Sequence, residues 1–167
     1  MTMPQRWLVG GVVATVGLAG AVAGPVAPGA TAGQLSAQPV AAVASGPSAT
    51  AAARLVRKIN ASRAAHGLRT LRVVDDLTSA AVDRARIMAA DGASSHTPNL
   101  GGALCCWSWL GENVGEAQSV RGAHRMFMRS ATHRANVLSK RARQVGVAVV
   151  VRDGTLWVVE VFRRPAR

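Results

Sequence analysis

Two runs of mostly β-branched residues, 145–152 (Val-Gly-Val-Ala-Val-Val-Val-Arg) and 155–162 (Thr-Leu-Trp-Val-Val-Glu-Val-Phe), are separated only by Asp153-Gly154. Asp-Gly supplies the two left-handed residues that a two-residue hairpin turn demands, so this stretch predicts an antiparallel hairpin. Both runs are apolar at odd and even positions alike, and a strand that is apolar on both faces has to be covered on both. The hairpin therefore predicts an α+β sandwich, with helices above and below a sheet.

The helices are visible as periodic apolar positions. Residues 51–66 place Leu55, Val56, Ile59 and Ala65 near one side, and Gly67 follows to end that helix. Residues 76–91 repeat the pattern with Leu77, Ala80, Ala81, Ile87 and Met88, with Asp75 or Asp76 as cap. Ser119 caps a third helix carrying Val120, Ala123, Met126 and Phe127, and Thr132 is read as the cap of a further short turn through His133, Asn136 and Leu138. Residues 93–118, rich in Gly, Ser, Pro and Asn, show no sustained period and are expected to form a long loop with short ordered pieces, of the kind that often carries function.

The first fifty residues hold one charge, Arg6, followed by the apolar run 7–23, Gly24-Pro25 and Ala30-Thr31-Ala32. That order predicts a secretory signal over 1–32, with cleavage after Ala32 preferred to cleavage after Ala23. The run is shorter than the roughly 20 residues a spanning helix needs, and no later stretch is long enough to cross a bilayer. Residues 33–50 are uncharged and rich in Ala, Ser and Pro, as a disordered linker would be. The folded domain is then 51–167, with no internal repeat.

The chain carries 20 Lys+Arg against 8 Asp+Glu, a net charge of +12, and all of it except Arg6 falls in the domain. Such a balance favours anionic partners: lipid head groups, an acidic envelope polymer or nucleic acid. Export argues against nucleic acid, and no aromatic residues interleave the cations as in single-strand binders. Arg121, Arg125 and Arg129, one helical turn apart, with Lys140, Arg141 and Arg143, form either a solvated face or a surface that holds the domain to an anionic envelope.

Three polar residues in or beside the irregular region are candidates for chemistry: His96, Glu112 and His133. Their spacing matches no short metal signature such as His-Glu-x-x-His, and each has an ordinary alternative as a surface, turn or helix-start residue. His66 is read as a histidine at a helix C-terminus, and His124 as packing. No Gly-x-Ser-x-Gly elbow occurs, which disfavours a serine hydrolase.

An ordered set of short motifs goes further. Leu55-Val-Arg-Lys-Ile-Asn60, Ser95-His96-Thr97, Gly111-Glu112-Asn113-Val114, His133-Arg134-Ala-Asn136-Val-Leu138, Val145-Gly146-Val147 and Trp157-Val-Val-Glu160-Val-Phe162 follow one another across 51–167. Together they resemble the CAP superfamily of cysteine-rich secretory proteins, antigen 5 and pathogenesis-related proteins, also called the SCP domain, in its bacterial branch. The resemblance implies a three-layer α-β-α sandwich with a central antiparallel sheet and a cleft where histidines and glutamates converge. It matches His96 and His133 to the two histidines, which in relatives bind zinc or another divalent ion, and Glu112 to the glutamate beside them. Asn113 and Asn136 are expected to fix the surrounding loops, and His124 to line the cleft.

Departures from the family pattern accompany the match. Phe127 stands where many relatives have Trp, and no residue matches the second glutamate of animal and plant members. Glu160 occupies a position where bacterial relatives often have Gln; it either faces the cleft as a ligand-binding carboxylate or, sharing strand parity with Val158 and Phe162, serves as a paired structural one. Cys105 and Cys106 are the only cysteines, and a vicinal bridge, intermolecular pairing and reduced thiols all remain open.

Three functions follow from the resemblance. The leading one is an exported binding module for a metal or a lipid-like or small hydrophobic ligand, with the apolar segment 107–110 as a wall. The second is a zinc-dependent extracellular hydrolase with Glu112 as general base. The third is a non-catalytic structural domain tethered to the envelope. A monomer is expected.

Overall fold

The computed structural model describes residues 46–167, so the segment 1–32 expected to be a secretory signal and residues 33–45 of the expected linker lie outside the described residues. Among the described residues the elements run α1 (Pro47–Ala65), β1 (Arg72–Val73), α2 (Asp75–Asp91), α3 (Leu100–Ala103), β2 (Trp107–Ala117), α4 (Val120–Arg129), α5 (Ala131–Val137), β3 (Gln144–Arg152) and β4 (Thr155–Pro165).

The hairpin forms as its sequence dictates. Asp153 and Gly154 take φ of 50° and 75°, and β3 and β4 pair antiparallel from Arg152 opposite Thr155 back to Gln144 opposite Arg163. The sheet order is β1-β3-β4-β2, in which β4 pairs antiparallel with β2 and the two-residue β1 pairs parallel with β3.

β2, a strand of 11 residues, corrects the expectation of a long loop with only short ordered pieces over 93–118. Its sequence, Trp-Ser-Trp-Leu-Gly-Glu-Asn-Val-Gly-Glu-Ala, holds glycines and polar residues that weaken any strand signal. It is a strand because β4 offers it a complete ladder, from Trp109 opposite Arg164 to Ala117 opposite Leu156.

Helix starts differ from the sequence reading in three places. α1 begins at Pro47, inside the segment read as linker; proline is pre-set for the first turn, and Ala51 and Ala52 pack against the core without an obvious apolar period. Val74 precedes α2, so Asp75 and Asp76 occupy its first turn, favourable to the helix dipole, rather than its cap. Ser130, not Thr132, caps α5 by accepting from the His133 amide. Ser119 does cap α4, and its Oγ accepts from the Gly122 amide at 3.0 Å. Gly67 ends α1 at φ 67°, where the Leu68 amide reaches the Arg63 carbonyl at 2.9 Å.

Strand parity divides the interior in two. Val145, Val147, Val149, Val158 and Phe162 face Leu55 and Ile59 of α1, Ala123 and Phe127 of α4 and Val137 of α5. The opposite face, with Ala148, Val159 and Val161, packs on Leu77, Ala81, Ala85 and Met88 of α2. This is the α-β-α sandwich the two-sided hairpin predicts. Ala65 and Ile87, expected inside, are exposed.

Arg63 takes an interior place on α1. It is fully buried, and it donates through Nη1 to the carbonyls of Val137 at 2.7 Å and Ser139 at 3.0 Å and through Nε to that of Arg69. These include carbonyls at the end of α5 that have no helical partner, so the cation closes that helix end onto α1. Burial, and next the charge of Arg143, pulls the Arg63 pKa below its ordinary value. Among the described residues no helix is long and apolar enough to cross a membrane.

Candidate functional site

The period-two geometry of β2 builds the site. β2 is an edge strand, and its consecutive residues Glu112 and Asn113 point to opposite faces of the sheet. Each fastens one of the two segments flanking that edge.

Glu112 fastens the segment after α2. Its Oε2 accepts from His96 Nδ1 at 2.7 Å and from the Thr97 amide at 3.0 Å, and its Oε1 accepts from Thr97 Oγ1 at 2.6 Å. The carboxylate side chain is only 6% exposed whereas that of His96 is 62% exposed. A carboxylate that only accepts fixes the proton of His96 on Nδ1, so the Nε2 lone pair is presented outward. Arg84 of α2, itself buried, supports the preceding residue by donating to the Ser95 carbonyl and hydroxyl.

Asn113 fastens α5. Buried completely, it donates through Nδ2 to the His133 carbonyl at 3.2 Å and to Glu160 Oε2 at 2.8 Å, while its Oδ1 accepts from Asn136 Nδ2 at 2.9 Å. Asn136 Nδ2 also donates to the Glu112 carbonyl at 3.1 Å. The two amides thus tie the β2 edge to α5. The His133 ring lies 5.1 Å from the Phe127 ring centroid, tilted by 59°, and its Nδ1 is buried with no partner. Burial first, and then the nearby His96, lowers its pKa, which favours the neutral ring with one unprotonated nitrogen able to donate to a metal.

Two residues stand apart from this cluster. Glu160 is fully buried on the α1/α4/α5 face of β4, so it is a structural carboxylate held by Asn113. Burial pushes its pKa up to about 8, the Asn113 hydrogen bond opposing, and its Oε1 has no partner. His124 sits between α4 and α1, its Nε2 2.8 Å from Ser62 Oγ. Burial and then the charge of Lys58 lower its pKa.

Thr97, Arg84 and Ser62 are partners that sequence reasoning did not single out. Thr97 was signalled only by its adjacency to His96, and Arg84 and Ser62 by nothing in the local pattern. Cys105 and Cys106 are free and exposed. Trp107, half-exposed, donates its indole N–H to the Leu104 carbonyl at 3.0 Å.

As a metal site the arrangement is partial. His96 shows the carboxylate–imidazole pairing that orients a ring for coordination through its other nitrogen. Among the described residues no three His, Cys, Asp or Glu side chains converge as a ligand set. His96 and His133 are the residues that would hold a metal here, and two imidazoles would leave the remaining positions to water or a ligand.

Fold and site together define an α-β-α sandwich whose edge strand carries Glu112 paired with His96. The chain belongs to the cysteine-rich secretory protein family, whose sequence profile matches residues 56–162. Similar solved structures include an extracellular SCP-domain protein from Bacillus anthracis (21% identity, TM-score 0.61, 72% of this chain and 45% of that one). A cysteine-rich secretory protein from Staphylococcus aureus is also similar (21%, 0.61, 71% and 39%). So is an outer surface protein from Borrelia burgdorferi (14%, 0.64, 70% and 93%). The chain spans less than half the length of the first two. No curated protein sequence matches it.

Proposed function

We propose that the chain works outside the cytoplasm as a binding module. Its cleft takes a divalent cation, zinc first, on His96 Nε2 and the His133 ring, beside an apolar wall from segment 107–110 that suits a lipid-like ligand. The export segment supports an extracellular site of action, as do the bacterial neighbours described as extracellular or outer surface proteins.

The observation that carries this reading is the state of Glu112. Three donors occupy its two oxygens and its side chain is withdrawn from solvent, so it orients His96 and is poorly placed to take a proton from water. That favours binding over the hydrolase, in which Glu112 would be the general base. Zinc, when bound, would supply Lewis acidity at the mouth of the cleft.

The test is a zinc titration of Glu112→Gln. Loss of an orienting carboxylate typically weakens a metal site by about 10–100-fold, so affinity is expected to fall by that factor while ester and peptide substrates remain unturned by either protein. Zinc-dependent turnover that vanishes in Glu112→Gln would establish the hydrolase instead.

A further inference from the structure

A second site is written in the distribution of charge. The helices α1, α4 and α5, which share one face of the sheet, contain eight cations and no acidic residue, whereas α2 on the other face holds Asp75, Asp76, Asp83 and Asp91. On the cationic face, α1 and α4 enclose a shallow groove of about 540 Å³ lined by Arg54, Arg57, Lys58, Ser119, Val120 and Arg121. Among the described residues none of these four cations makes an ion pair. The groove includes none of the residues of the His96–Glu112 cluster.

Two features show that the groove has an uncompensated positive field. The first turn of α4 opens into it, and Ser119 Oγ takes only the Gly122 amide, leaving the amides of Val120 and Arg121 without a helical partner. At the base of the same helix pair, burial first and then the charge of Lys58 oppose protonation of His124, and among the described residues no carboxylate offsets them.

We propose that the α1–α4 groove binds phosphate groups of a linear, non-aromatic phosphodiester polymer, which enters between Arg54, Arg57, Lys58 and Arg121 and continues along Arg125 and Arg129. The repeat along α4 is one cation every four residues, about 6 Å of helix rise, comparable with a phosphodiester chain bearing a short polyol spacer. A flat bilayer fits less well: of the large apolar residues left exposed, only Met126 lies on α4 and none lies on α1. Nucleic acid fits less well because no aromatic side chain lines the groove for bases to stack on. Binding is expected to weaken with salt, since each phosphate contact releases counterions.

The experiment uses a soluble glycerol phosphate oligomer as probe, at low and physiological salt, with Arg57→Glu, Arg121→Glu and, on the opposite face, Arg86→Glu. The groove variants are expected to lose about tenfold or more in affinity, equivalent to 1.4 kcal/mol per decade, with unchanged melting temperature and zinc affinity. Arg86→Glu is expected to bind as the parent does. Saturation with the oligomer should raise the His124 pKa followed by NMR. Equal losses in all three variants would reduce the effect to net charge and overturn the proposal. So would an unmoved His124, or binding to anionic phospholipid vesicles or single-stranded DNA in preference to the oligomer. The variants leave His96 and His133 intact, so the outcome is independent of the metal reading.

Discussion

Gly146→Ala is expected to lower the melting temperature by roughly 10–20 °C, the shift that about 3 kcal/mol produces in a domain of this size. Gly146 lies on β3 where the strand meets the start of α2, and a Cβ there would collide with the Leu77 carbonyl group and the Thr78 amide. Those are backbone atoms of a helix whose Leu77, Ala81, Ala85 and Met88 are completely buried, so no flexible side chain can yield. Overpacking typically costs 1–3 kcal/mol, and displacing a whole helix belongs at or above the upper end. Gly115→Ala on β2 is the comparison: its Cβ would meet the end of Met126 and the Phe127 ring, side chains that can shift. Thermal melts of the two variants should separate widely, and equal losses would mean that α2 does not sit on β3 as described.

Glu160→Gln is expected to make stability less dependent on pH and to raise it at neutral and alkaline pH. The Glu160 pKa stands at about 8 in the fold against 4.5 when unperturbed. The folded state therefore holds the proton more tightly than the unfolded chain. The resulting stabilisation is complete below the ordinary carboxylate range and is lost as pH rises from there to about 8. One pKa unit corresponds to about 1.4 kcal/mol, so the group removes roughly 4 kcal/mol between pH 5 and pH 8. Glutamine keeps the carbonyl oxygen that Asn113 needs and has no charge to desolvate. Urea unfolding of parent and variant at pH 5, 6, 7 and 8 should show a difference that grows in favour of glutamine and levels off above pH 8. A difference independent of pH would mean that Glu160 is ionised in the fold.

The parts of the structure that follow from local chemistry are legible in the sequence. The Asp153-Gly154 turn, the two-sided hairpin and the buried faces of α1, α2 and α4 are fixed by period and turn residues close together in the chain. β2 is not, because its identity comes from the ladder on β4, some fifty residues away, and its own glycines argue against a strand. Arg63 escapes for a related reason: its partners are carbonyls at Arg69, Val137 and Ser139, and nothing in the α1 pattern marks a cation as interior.

The candidate site divides in the same way. Spacing alone left His96, Glu112 and His133 unrelated; the ordered motifs linked them, and the structure pairs His96 with Glu112 while showing that Asn113 and Asn136 fasten the α5 side. The motifs did not reveal that Glu112 accepts from Thr97 as well as His96, which favours an orienting part over the general-base alternative. Glu160 and His124 carry family-like positions but face the α1/α4/α5 layer, because strand parity and the helix face decide their surroundings.

The most direct test of the binding-module reading is calorimetric titration of zinc into the full chain beside His96→Ala and His133→Ala, each confirmed folded by circular dichroism. Both side chains are partly exposed or at the periphery of the core, so the folds should survive. One zinc per chain is expected in the parent, with loss of that binding in both variants. No zinc uptake by the folded parent, or uptake that survives either substitution unchanged, would contradict it.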